Sequence, residues 1–139
     1  MNSDWQGFSL HVTTIFPSNM HNEITCVFSL EVKAGRFEQF KQLIAEIVPL
    51  AKAEPGTIMY EYSSSADGNV VHIVERYRNS RAITEHVELT FAPYAERFLS
   101  LVTVKALTVY GDPDQAARQK LDAFGPSYLV QFDGFKRWD

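Results

Sequence analysis

The spacing of apolar residues along the chain changes repeatedly between a period of two and a helical period. Four segments alternate apolar and polar positions, as strands with one buried face do: ITCVFSLEV (24–32), TIMYEYS (57–63), VVHIVERYR (70–78) and TVKALTVY (103–110). Apolar residues recur at helical spacing from Phe37 to Leu50 and again from Ile83 to Leu101. The pattern therefore predicts the element order βαββαβ.

Prolines and glycines set the limits of the predicted helices. We expect Pro49 to kink the end of the first helix and Pro93 to divide the second, with this proline in the first turn of the second piece. A further helix is predicted after Gly111, with Asp112 as its cap, Pro113 in its first turn and FGP (124–126) at its end.

The order βαββαβ is that of a ferredoxin-like α+β domain, in which an antiparallel sheet carries both helices on one face. We assign residues 24–110 to this domain. Residues 1–23 form an N-terminal arm with one alternating piece, FSLHVTTIF, and residues 111–139 form a C-terminal helix and tail. The tail carries large apolar residues that should pack on the body of the domain or on a partner subunit: Tyr128, Phe132, Phe135 and Trp138.

The strands also place apolar side chains on the sheet face that no helix is expected to cover. These residues are Val27, Met59, Val74, Val104 and Ala106. An apolar sheet face of this size is unfavourable in water, so a second copy of the chain should cover it. The sequence therefore predicts a homodimer whose sheets pack face to face.

Composition and charge exclude several classes of function. The chain has 139 residues, enough for one domain, and its 13 basic and 17 acidic residues give a net charge of −4 without a basic cluster, so nucleic acid is not an expected partner. No apolar run approaches the roughly 20 residues of a membrane span, and the N-terminus lacks a secretory signal pattern. We expect a cytoplasmic protein that binds no membrane.

The sequence gives no sign of a cofactor or a metal. Its seven glycines are dispersed, and none opens a helix after a strand as a phosphate-binding loop or dinucleotide fingerprint requires. His11 and His21 lack recognisable ligand spacing. The single cysteine, Cys26, lies in an apolar run and is expected to be a buried structural residue.

Three polar side chains fall on faces that the pattern assigns to the interior. Glu75 and Tyr77 share the apolar face of the third strand with Ile73, and His86 lies one turn after Ile83 in the next helix. A buried carboxylate without a partner is costly, so Glu75 must be paired, protonated or beside a polar cavity. Either these groups satisfy one another structurally, or they form a pocket with an acid–base pair. Position alone leaves both interpretations open.

Two segments resemble the antibiotic biosynthesis monooxygenase family, a group of small dimeric α+β barrels. They are AEPGTIMYEY (53–62) and VERYRNSRAITEHVELTFAPYAERF (74–98), and the resemblance covers roughly residues 24–110. In the second segment, Glu75, Tyr77 and His86 match the family's pattern of a strand-ending glutamate, an aromatic residue two positions later and a histidine on the next helix.

The resemblance implies an oxygenase that oxidises a phenol or quinol with molecular oxygen and no cofactor. On this hypothesis His86 is the base, Tyr77 hydrogen-bonds a substrate oxygen and Glu75 orients the imidazole. The residues expected to line the substrate pocket are Tyr60, Phe91, Tyr94 and Phe98.

The resemblance also has departures and alternatives. Tyr77 stands where many members have tryptophan, and Glu96 stands ten residues after His86, where haem-degrading relatives have a haem-ligating histidine, so haem is not expected. A family branch that isomerises small sugar-like signals by proton transfer implies a second function. A non-catalytic dimeric ligand-binding protein is the third.

Overall fold

One open sheet carries the helices of the protein on one face in the computed structural model, which describes residues 21–138. The strands are β1 (Ile24–Val32), β2 (Thr57–Ser64), β3 (Val70–Tyr77), β4 (Val102–Tyr110) and β5 (Ser127–Leu129). The α-helices are α1 (Phe37–Lys52), α2 (Ser80–Glu85), α3 (Ala95–Leu101) and α4 (Gln115–Leu121). A π-helix (His86–Phe91) and a 3-10 turn (Ala92–Tyr94) connect α2 to α3.

The sheet order is β2-β3-β1-β4-β5. The first four strands pair antiparallel, which confirms the ferredoxin-like α+β fold predicted from the sequence. The fifth strand, which the sequence pattern did not predict, pairs parallel with the end of β4. The alternating piece predicted within the N-terminal arm lies outside the described residues.

The core lies between the sheet and the helices. In β1 every second residue from Ile24 to Val32 is buried, as the period of two predicted. These side chains meet the buried stripe of α1, which includes Phe40, Leu43 and Ile47. Cys26 is fully buried here, and the burial raises the pKa of its thiol, so it is a structural residue.

Two irregular positions change which side chains face the core. Lys105 is an extra residue in β4, because Ser29 pairs with Ala106 while Leu30 pairs with Val104. Val104 therefore faces the helices, and its predicted place on the opposite face was wrong. A similar irregularity at the start of β2 pairs Thr57 with Tyr77.

The segment between β3 and β4 differs from the predicted pair of helices. Asn79 caps α2 by accepting a hydrogen bond from the backbone N–H of Ala82. The helix then widens into the π-helix, and Pro93 lies in the 3-10 turn instead of in the first turn of a second α-helix. Pro49, in contrast, stays within α1.

The C-terminal segment packs partly against the core. Asp114 caps α4, so the predicted cap at Asp112 was wrong, and Gly125, in the left-handed conformation at φ 65°, ends the following turn (Asp122–Phe124). Phe132 and Phe135 are 95% and 84% exposed and do not pack on the body of their own chain. Their packing on a partner subunit stays a prediction.

The sheet face away from the helices is partly covered in the single chain, because Lys136 of the tail pairs with Glu23 beside Arg76 at one end of this face. Val27 and Val74 lie directly opposite each other on this face and are half-buried, while His72 is exposed. The predicted second copy that would cover this face stays a prediction.

Candidate functional site

A small cavity lies between the sheet and the helices, at the position of the predicted pocket. Its volume is about 40 Å³. Because an ordered water needs roughly 10–15 Å³, the cavity is large enough to hold water. Its lining is mainly aromatic and aliphatic, and Glu75, Tyr77 and His86 all reach it. Among the predicted pocket residues, Tyr60, Phe91 and Phe98 line it and Tyr94 does not.

Glu75 is one of two carboxylates near the His86 imidazole. Its side chain is 8% exposed, and the Tyr77 hydroxyl donates a hydrogen bond of 2.5 Å to its Oε1. Burial raises the pKa of the Glu75 carboxyl, and the nearby Glu54 carboxylate adds to the effect, while His86 and the Tyr77 hydrogen bond oppose it. The protonated form of Glu75 is thus favoured more than in a solvated glutamate.

His86 is paired with the other carboxylate, Glu54. The imidazole is 3% exposed, and its Nδ1 lies 3.0 Å and 3.1 Å from the two carboxylate oxygens of Glu54. Because an ionised carboxylate only accepts hydrogen bonds, this geometry assigns the proton to Nδ1 in the neutral ring. Nε2 hydrogen-bonds no other residue between positions 21 and 138, and the imidazole is part of the cavity wall.

Two threonines hold the Glu54 carboxylate. Thr57 donates to its Oε1 at 2.5 Å, and Thr90 donates to its Oε2. The irregular start of β2 makes the first contact possible, because it turns Thr57 toward the helices. Glu54 therefore accepts from three side chains, and its orientation is fixed from both sides.

The π-helix explains how His86 and Thr90 reach the same carboxylate. Hydrogen bonds from residue i to i+5 widen this part of the helix, so that the buried His86 and Thr90 and the cavity-lining Phe91 all face the interior. Single π-helical turns occur frequently at functional sites. Here the π-helix places the His86 imidazole and the Thr90 hydroxyl against the same Glu54 carboxylate.

A pair of tyrosines completes the polar part of the cavity wall. The hydroxyls of Tyr60 and Tyr62 lie 2.7 Å apart. The Tyr60 ring also contacts the His86 ring edge-on, with centroids 5.1 Å apart. Burial raises the pKa of both phenols, so they are neutral hydrogen-bonding groups at physiological pH.

The structure brings the three predicted catalytic residues together but distributes the contacts differently. Glu75 bonds Tyr77, whereas the residue that orients His86 is Glu54, which the sequence analysis did not select. One signal could have indicated Glu54. It follows the C-terminal end of α1, where the helix dipole disfavours an acidic side chain, so its carboxylate needs other partners.

Neither a metal cluster nor a spanning helix is present in the part of the chain that the structure describes. No three His, Cys, Asp or Glu side chains within residues 21–138 converge as metal ligands would. No helix in that range is both long and apolar enough to cross a membrane.

The fold agrees with the comparison to protein families. Elements β1 to β4 and the helices packed on them define a ferredoxin-like domain with an internal cavity. Residues 23–91, from the start of β1 to the end of the π-helix, match the model of the antibiotic biosynthesis monooxygenase family. No curated protein matches the chain significantly.

Solved structures share the fold at low sequence identity. MupZ from Pseudomonas fluorescens is 20% identical with a TM-score of 0.76, over 85% of this chain and 91% of that protein. Rv0793 from Mycobacterium tuberculosis is 24% identical with a TM-score of 0.57, over 68% and 98%. SnoaB from Streptomyces nogalater, a cofactor-independent oxygenase, is 18% identical with a TM-score of 0.58, over 68% and 96%.

Proposed function

We propose that the protein is a cofactor-independent monooxygenase of a small aromatic substrate of the phenol or quinol type. The match to the model of a monooxygenase family and a structural neighbour that is a cofactor-independent oxygenase support the reaction class. The observation that carries the proposal is the Glu54–His86 pair, which places the imidazole in the wall of a mainly apolar cavity.

His86 acts as the general base. Its Nε2 takes the phenolic proton, and the Glu54 carboxylate stabilises the imidazolium that forms. Such a pair needs no further alignment when substrate binds, since Thr57 and Thr90 already hold the carboxylate.

The phenolate formed in this way is electron-rich enough to react with oxygen directly. It transfers one electron to O₂, and the resulting radicals combine into a carbon-bound peroxide anion, which takes the proton from the His86 imidazolium and becomes a hydroperoxide. The neutral His86 then accepts the C–H proton at that carbon, the O–O bond breaks, and the leaving hydroxide takes a proton from Glu75, which gives a quinone and water. Return of the proton from His86 to the Glu75 carboxylate restores both groups. For 1-naphthol the balance is C₁₀H₈O + O₂ → C₁₀H₆O₂ + H₂O, with no external reductant.

Glu75, Tyr77 and Tyr60 have supporting roles. A protonated Glu75 gives its proton to the oxygen that leaves as water, and the Tyr77 hydrogen bond fixes the position of this carboxyl group. Tyr60, beside the imidazole, hydrogen-bonds the substrate oxygen. Phe91 and Phe98 pack edge-on with centroids 5.1 Å apart and provide an apolar wall for the substrate ring.

Oxygen consumption tests the proposal. Purified protein is mixed with 1-naphthol or hydroquinone, and oxygen uptake is compared for wild type, His86→Ala and His21→Ala. His21 is the matched control, because it is an exposed histidine that precedes β1 and does not line the cavity. We expect uptake by wild type and by the control, and a loss of about 10²–10⁴-fold in His86→Ala. Equal uptake by all three proteins, or none by wild type, rejects the proposal.

A proton-transfer isomerase is the second candidate. Glu75 and His86 line the same cavity, and burial favours the protonated form of the Glu75 carboxyl. An acid at Glu75 and a base at His86 are sufficient for enolisation, which needs no oxygen. The described residues that line the cavity include no lysine or arginine, which disfavours a phosphorylated substrate. Solvent deuterium incorporation without oxygen uptake would support the isomerase. Ligand binding with neither activity would support a non-catalytic binding protein.

We also propose a cytoplasmic homodimer with sheets packed face to face. The supporting observation is the sheet face around the half-buried Val27–Val74 pair. Sedimentation analysis tests the dimer: we expect Val27→Glu to dissociate it, and a monomeric wild type would reject it.

A further inference from the structure

The volume of the cavity sets a condition on any aromatic substrate. An apolar protein cavity that binds benzene has a volume of about 150 Å³. The cavity beside His86 measures about 40 Å³. A substrate ring therefore enters only if part of the cavity wall gives way.

Most of the wall belongs to the rigid core. Tyr77 and Ile83 are each 1% exposed and lie within the continuous cluster of buried side chains. Phe124 is half-buried, as Tyr60 and Phe91 are, but unlike them it comes from a three-residue turn outside the βαββαβ domain. Gly125 follows it in the left-handed conformation, where the chain turns toward β5.

The segment that carries Phe124 is anchored on both sides of the turn, by the buried Leu121 and by the hydrogen bond from Tyr128 to Asp122, whereas the Phe124 ring lies at the edge of the core. The Phe124 ring packs edge-on against Phe28, with centroids 5.5 Å apart. Lys120 and Glu88 form an ion pair of 2.9 Å between α4 and the π-helix, and both side chains are substantially exposed, at 36% and 51%. Exposed ion pairs of this kind contribute little to stability. Displacement of Phe124 therefore disrupts less than displacement of any core residue.

We propose that Phe124 is the specificity-determining residue of the cavity, because its ring must give way to the ring of the substrate and thereby limits the size of the aromatic that binds. The proposal rests on the proposed function only for the aromatic nature of the ligand. The C-terminal segment, which lies outside the 23–91 family match, would then select substrates by size.

Equilibrium binding of two aromatics of different size tests this proposal. The dissociation constants of phenol and 1-naphthol are measured by titration calorimetry under anaerobic conditions, so that no turnover is needed. The variants are Phe124→Ala, Phe124→Leu as a milder substitution, and Phe91→Ala, which removes a half-buried ring from another part of the same wall. Phe135→Ala is the control, because this ring is 84% exposed and lies in the tail.

The gain in affinity should grow with ligand size only when Phe124 is shortened. We expect Phe124→Ala to bind 1-naphthol about tenfold more tightly and phenol about threefold more tightly, with Phe124→Leu intermediate and the control unchanged. Three results would overturn the proposal. Phe124→Ala could gain affinity equally for both ligands, Phe91→Ala could show the size-dependent gain instead, or none of the proteins could bind either ligand. Size-dependent binding without oxygen uptake would support it and reject the monooxygenase function alone.

Discussion

Glu54 and Glu75 lie beside the same imidazole in two different environments. The Glu54 side chain is 17% exposed and accepts hydrogen bonds from His86, Thr57 and Thr90. Glu75 is 8% exposed and accepts from Tyr77. Hydrogen bonds favour an ionised carboxylate, whereas burial favours a protonated one.

This difference assigns opposite roles to residues of the same type. Glu54 is suited to stabilise positive charge on the imidazole, and Glu75 to hold or give a proton. Four substitutions can break or sharpen the comparison.

Glu54→Gln should have the largest effect. The amide keeps the shape of the side chain but carries no charge to stabilise the imidazolium, so we expect the rate of oxygen uptake to fall about 10–100-fold. Glu96→Gln is the matched control, because Glu96 is exposed on α3. A Glu54→Gln variant with the wild-type rate would remove the proposed role of Glu54.

Glu75→Gln should change how stability depends on pH. The pKa of the Glu75 carboxyl is raised above 4.5 by burial, so the folded protein keeps a proton that the unfolded chain releases. The stability that this proton provides is complete below about pH 4.5 and is lost as the pH rises through the folded-state pKa.

Chemical denaturation at a series of pH values measures this effect. Between pH 4.5 and the folded-state pKa of Glu75, we expect the free energy of unfolding of wild type to fall as the pH rises. Relative to Glu75→Gln, the fall should reach up to about 1.4 kcal/mol per pH unit. A constant difference between the two proteins above pH 4.5 would show that the pKa of Glu75 is not raised.

Tyr77→Phe removes the hydroxyl that donates to Glu75. Because both groups are buried, we expect a loss of about 1.5–3 kcal/mol in the free energy of unfolding. Tyr110→Phe, at a residue that is 37% exposed, should change stability much less. Equal losses in both variants would contradict the importance of this hydrogen bond.

Thr90→Val should have the smallest effect. The substitution removes one of the three donors to Glu54, which is partly exposed, so we expect a loss of about 0.5–1.5 kcal/mol in thermal or chemical unfolding. Thr103→Val, at an exposed position of β4, controls for the change in residue type. A stability gain in Thr90→Val would indicate that this hydrogen bond does not form.

The fold was more predictable from sequence than the contacts of the site. Long segments of regular period marked β1, β3 and α1, because burial of one face repeats along the whole element. The same period showed that Glu75 and Tyr77 point inward.

The remaining features depend on single residues or on distant contacts. One extra residue in β4 reversed the predicted face of Val104. The π-helix is six residues long and has no periodic pattern of its own to identify it. Glu54 and His86 are 32 positions apart, and their pairing follows from how α1 and the π-helix pack, which spacing along the chain does not encode.

The tautomer of His86 tests the central claim most directly. Two-bond ¹⁵N–¹H correlation spectra, recorded where the ring is neutral and assigned with His86→Ala, distinguish the two nitrogens. We predict the proton on Nδ1, bonded to Glu54, and an unprotonated Nε2 facing the cavity. A proton on Nε2 would contradict the account, since the cavity would then contain no histidine base.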